Sequence, residues 1–87
     1  MKIKKGFVVR SIAGESVVVA LGAASKNFNG IIKLNETGRF LWDILATGAT
    51  AEELQAKLME EYEVDAETAK ADIERFTCSL KGAGIID

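Results

Sequence analysis

Apolar and polar positions along this chain change period once, at Leu34-Asn35-Glu36-Thr37-Gly38. Before that point they alternate as in strands. After it they recur at the three- and four-residue spacing of helices. Phe7-Val8-Val9-Arg10-Ser11-Ile12 and Ser16-Val17-Val18-Val19-Ala20-Leu21 are rich in β-branched residues, and Ala13-Gly14-Glu15 between them suits a tight hairpin. Gly30-Ile31-Ile32-Lys33-Leu34 reads as a third short strand, with Ile32 and Leu34 on one face and Ile31 and Lys33 on the other. The intervening Gly22 to Gly30 reads as an irregular connection anchored by Phe28.

Asn35 is a suitable helix N-cap, and Glu36 places an anion where the helix dipole favours one. Phe40, Leu41, Ile44 and Leu45 then form an apolar stripe flanked by Gly38 and Trp42, and Thr47-Gly48 ends this helix. A glycine in a helix costs about 1 kcal/mol relative to alanine, so Gly38 implies close packing against that turn. Thr50 and Glu53 have the spacing of a capping box for a second helix, with Ala51, Leu54, Leu58 and Tyr62 on one side and charges on the other. Asp65 caps a third, in which Ala69, Ile73, Phe76 and Leu80 share a face until Gly82 and Gly84 stop it. Ile85 and Ile86 form a short apolar tail expected to fold back on the core.

Three strands followed by three helices predict an α+β fold, with the helices packed on one face of a three-stranded antiparallel sheet. With 87 residues the chain is expected to form a single domain spanning residues 1–87. A hydrophobic content of 48% with 28% charged residues fits a folded globular chain. No apolar run approaches a membrane span, and the basic N-terminus is not followed by a signal-peptide core, so a cytoplasmic location is expected.

The chemistry that residue types allow is narrow. Without histidine, the common zinc sites and His-dependent nucleophiles are excluded, and the single Cys78 cannot close an intramolecular disulfide. Cys78 is expected to be a buried or half-buried, inert thiol. Phosphate-binding glycine signatures are absent, and Glu52-Glu53 and Glu60-Glu61 fall on a helix face expected to be solvated. The expectation is therefore a non-enzyme, with no catalytic residue, metal or cofactor.

Two features bear on binding. A third strand at the edge of a three-stranded sheet leaves a row of unpaired backbone groups, open to an extended peptide or to a second copy of the chain. The third helix carries mixed charge at Lys70, Asp72, Glu74, Arg75 and Lys81 around its apolar face. A helix-turn-helix reading of the last two helices would require cations against phosphates. The second helix is acidic and the third is balanced, which disfavours a nucleic-acid-binding winged helix; a structural dimerisation module through the edge strand is the other alternative.

Phe7-Val8-Val9-Arg10, Val17-Val18-Val19, the run from Gly30 through Gly38, Leu41-Trp42 and Leu80-Lys81-Gly82-Ala83-Gly84-Ile85-Ile86 together resemble the PqqD-like proteins. That family includes the pyrroloquinoline quinone biosynthesis chaperone and the recognition elements of ribosomally synthesised, modified peptides (RiPPs). The resemblance implies a winged helix-turn-helix-like domain of three antiparallel strands and three helices. It also implies a peptide chaperone that binds the leader segment of a precursor peptide and presents it to a modifying enzyme, often a radical SAM protein. By position, the leader would add as a strand along Gly30, Ile31, Ile32, Lys33 and Leu34. Its side chains would meet Ala69, Ile73, Phe76, Thr77 or Leu80 of the third helix, while Asn35 to Gly38 would hold strand and helix at the required angle. Nucleic acid and membrane are not implied partners; a homodimer remains compatible.

Overall fold

The computed structural model describes residues 1–22, 26 and 32–86. Phe28, Gly30 and Ile31, to which the sequence assigns an anchor and the start of the third strand, lie outside them. Strand β1 (Phe7–Ile12) and strand β2 (Glu15–Ala20) form an antiparallel hairpin in which Phe7 pairs with Ala20 and Ile12 with Glu15. Its turn is two residues, not three: Ala13 and Gly14 both have positive φ, 53° and 81°, so Glu15 already belongs to β2. Such turns match the right-handed twist of the strands they join. Leu21 falls outside β2 and is 46% exposed. Strand β3 (Ile32–Leu34) pairs antiparallel with β2, Ser16 opposite Leu34 and Val18 opposite Ile32, giving the order β1-β2-β3.

Helix α1 (Glu36–Leu45) begins one residue after β3 ends, because Asn35 turns the chain: its side-chain oxygen accepts from the Gly38 amide at 2.8 Å and from the Thr37 hydroxyl at 3.1 Å. Gly38 is buried, and a Cβ there would sit 3.0 Å from Asn35 Oδ1 and 3.6 Å from Leu34 Cβ. The close packing inferred from the glycine is thus the cap itself. The buried stripe of α1 is Gly38, Leu41, Trp42 and Leu45, rotated from the sequence-based one. Phe40 and Ile44 remain only partly covered, at the edge of the core.

Helix α2 (Ala51–Glu61) opens with the reciprocal Thr50–Glu53 bonds, 3.1 and 3.2 Å, and buries Leu54 and Leu58. Ala51 is exposed, and Tyr62 ends the helix as its C-cap. Helix α3 (Ala66–Gly82) is capped by Asp65, which accepts from the Thr68 amide at 2.7 Å. The Thr68 side chain first, and then its amide, hold the Asp65 carboxyl below its ordinary pKa. The α3 residues Ala69, Ile73 and Leu80 are buried and α3 packs chiefly on α2. After Gly84, at φ 76°, the chain reverses so that the Ile85 amide donates to Leu80 O at 2.9 Å, and Ile85 and Ile86 are buried as expected. One continuous cluster joins β2, all three helices and this tail. Cys78, expected to be at least half-buried, is exposed, since it lies on the face of α3 turned from that cluster. Among the described residues, no helix is long and apolar enough to cross a membrane.

Candidate functional site

Because β3 lies at the edge of the sheet and α3 packs on α2, a gap remains between strand and helix. It is a groove of about 980 Å³. On the sheet side it is lined by Ile32, Lys33 and Leu34 and by the hairpin residues Gly14 to Ser16; on the helix side, by Asp72, Arg75, Phe76 and Ser79. Residues 35 to 39 of the strand-to-helix junction also line it, and the buried Leu41 and Leu80 contribute from beneath.

Polar groups set the rim. Lys33 Nζ lies 3.4 Å from Glu15 Oε2, and both side chains are exposed. Arg39 bonds Asp43 at 3.2 Å and reaches the Ser16 hydroxyl at 3.4 Å, while Arg75 pairs with Asp72. Exposed pairs of this kind contribute about 0 to 1 kcal/mol each, so an incoming group can displace them at little cost. Between them Ile32, Leu34 and Phe76 are half-buried and offer apolar surface. The arrangement suits an extended chain that hydrogen-bonds through its backbone and seats alternate side chains on an apolar strip.

The structure brings together five of the ten residues assigned to the site from sequence: Ile32, Lys33, Leu34, Phe76 and Leu80 all line the groove. Gly30 and Ile31 are outside the described residues. Ala69 and Ile73 do not line it; at 0% and 3% exposure they belong to the core. Thr77 does not line it either, and its hydroxyl donates back to Ile73 O at 2.9 Å. The reason is helix geometry. At about 100° per residue, Phe76, Asp72, Ser79 and Arg75 fan out on one side of Ile73, whereas Thr77 falls about 40° to the other.

Asp72, Arg75 and Ser79 line the groove although, in sequence, charged and small polar residues on a helix read as a solvated face. The 72-75-76-79 spacing is a stripe in its own right, adjoining the core stripe through Leu80. The resemblance implies a purely geometric role for Asn35 to Gly38, yet these residues and Arg39 form part of the wall.

An antiparallel sheet followed by a helical trio, with an edge strand opening into a groove walled by the last helix, defines a winged-helix-like binding domain. The chain matches the family described as coenzyme PQQ synthesis protein D (PqqD) over residues 14–86, and it belongs to that family. Among solved structures it is similar to TbiB1 in complex with the TbiA(beta) leader peptide. Identity there is 26%, the match covers 100% of this chain and 95% of that one, and the TM-score is 0.79. It is also similar in fold to lasso peptide synthetase B1 complexed with the leader peptide, at 24% identity, covering 97% of this chain and 93% of that one, with a TM-score of 0.74. No curated protein matches.

Proposed function

We propose that this protein is a non-catalytic carrier that binds the leader segment of a ribosomally synthesised precursor peptide by strand addition to β3. It presents that peptide to a modifying enzyme, in the family's usual case a radical SAM protein, in the cytoplasm. The observation that carries the reading is the outer edge of β3, on which no further strand pairs among the described residues, opening into the groove walled by α3. The leader complexes formed by similar proteins support it.

Physical estimates fit a carrier. Pairing along three residues supplies about two or three backbone hydrogen bonds, each contributing about 0.5 to 1.5 kcal/mol. Two apolar anchors on Ile32, Leu34 and Phe76 add roughly 1.5 to 3 kcal/mol apiece when fully covered. Ordering a flexible leader costs about 1 to 2 kcal/mol per residue. Gain and cost are of the same order, which rules out extreme affinity and suits a peptide that is handed on.

Titration of isotope-labelled protein with the leader of the precursor encoded beside its gene tests the proposal. Amides of Ile32 to Leu34 and of Asp72 to Ser79 should shift together. Unchanged spectra at saturating leader, or shifts confined to α2, would count decisively against it.

A further inference from the structure

The C-terminal halves of α1 and α2 enclose a second concavity, of about 440 Å³, which shares no lining residue with the groove. Its floor is apolar. Phe40 and Ile44 are the two α1 residues that the core leaves partly uncovered, and the Phe40 ring stands edge-on to Tyr62 with centroids 5.5 Å apart. Its rim is acidic: Asp43, Glu60 and Glu61 against the single cation Lys57, with Thr47 completing the lining.

Backbone electrostatics add to that sign. Neither α1 nor α2 carries a basic residue in its last turn, so no side chain of either helix offsets the negative end of its dipole; past the end of α1 the N-terminal ammonium donates to Ala49 O at 2.7 Å, whereas α2 ends beside Glu60 and Glu61. The Tyr62 phenol is held above its ordinary pKa by burial first, then by Glu36 and by Glu61 of this rim. Carboxylates at a helix C-terminus work against the helix, and Phe40 and Ile44, which pack against the core on one side, leave apolar surface uncovered on the other. Both become favourable when a cationic surface with an apolar projection covers them.

We infer that this face is the docking site for a basic, apolar-anchored segment of the modifying enzyme, with the apolar side chain on Phe40 and Ile44 and Lys or Arg residues against Asp43, Glu60 and Glu61. The inference rests on the carrier reading above, because presentation requires that peptide and enzyme be held at once on different surfaces. The two concavities are lined by different residues of α1. They are joined by one ion pair, since Arg39 lines the groove and its partner Asp43 lines the second face.

The test uses the full chain, the leader peptide and the modifying enzyme encoded with that precursor, with enzyme binding measured by biolayer interferometry at several salt concentrations. The double variant Glu60→Lys, Glu61→Lys should weaken enzyme binding by about tenfold or more, whereas Lys57→Glu should tighten it. Both should keep leader affinity within about twofold of the parent and retain its circular dichroism spectrum. Opposite effects of the two reversals are the signature of charge, which misfolding would not produce. Parent-like enzyme binding by the double variant, salt-independent binding, or no binding of the parent chain would overturn the inference. Loss of leader binding with enzyme binding retained would instead overturn the carrier reading.

Discussion

The contact between Asn35 and Gly38 predicts a specific failure of additivity. Asn35→Ala removes the acceptor for the Gly38 amide and the Thr37 hydroxyl. Loss of such a cap costs about 1 kcal/mol, within a range of roughly 0.5 to 2. Gly38→Ala alone gains up to about 1 kcal/mol of helix propensity. Its new Cβ, however, lies 3.0 Å from Asn35 Oδ1 and displaces the capping side chain, so gain and loss nearly cancel. In the Asn35→Ala background that oxygen is gone. The remaining neighbours of the Cβ are the Leu34 carbons at 3.6 Å, an ordinary contact, so the same substitution should then stabilise. The expected coupling is about 1 kcal/mol, equivalent to about 4 to 8 °C in Tm for a domain of this size. Urea unfolding of the four proteins, followed by far-ultraviolet circular dichroism, measures it. Equal effects of Gly38→Ala in both backgrounds would refute the claim that the cap is what packs against the glycine.

Other consequences are open to equally direct measurement. Ala13 is a non-glycine residue at φ 53°, a conformation that asparagine tolerates better, so Ala13→Asn should raise the urea midpoint by the equivalent of about 0.5 to 1 kcal/mol; a lower midpoint would contradict the turn geometry. Phe76→Ala should reduce leader affinity by about 10- to 100-fold, the value of one apolar anchor, while lowering stability by about 2 kcal/mol because the ring is only half-buried. Fluorescence anisotropy with labelled leader and urea titration separate the two effects. The Asp65 carboxyl, held below its ordinary pKa, stabilises the fold above the ordinary carboxylate value, and that contribution disappears as pH falls through the depressed one. The stability difference between the parent and Asp65→Asn should therefore shrink on acidification; parallel pH curves would contradict it.

Local chemistry made the element boundaries legible. Asn35, Thr50 and Asp65 each announce a helix start because a side-chain acceptor near free amides works through neighbours in sequence, and all three caps are present. The return of Ile85 and Ile86 to the core followed from two large apolar residues after a glycine stop. What depends on the relative placement of elements was harder to read. Phe40 and Ile44 belong to the apolar stripe by spacing, but only the rotation of α1 against the sheet decides that Gly38 and Trp42 go in ahead of them.

Likewise, Ile73, Phe76 and Thr77 are sequence neighbours whose fates diverge with a few tens of degrees of helix rotation. One enters the core, one lines the groove and one bonds back to its own helix. Arg75 and Asp72 count in the sequence only as part of the mixed charge of α3, since an exposed pair one turn apart looks the same on any solvated helix.

The central claim is that a leader peptide becomes the fourth strand of this sheet, beside β3. Isotope-filtered nuclear Overhauser spectroscopy of the complex tests it most directly. Strand addition predicts cross-strand contacts between the backbone protons of the leader and those of Ile32, Lys33 and Leu34, together with side-chain contacts to Phe76. A leader that shows contacts to α3 alone, or that binds as a helix without backbone contacts to β3, would contradict the account.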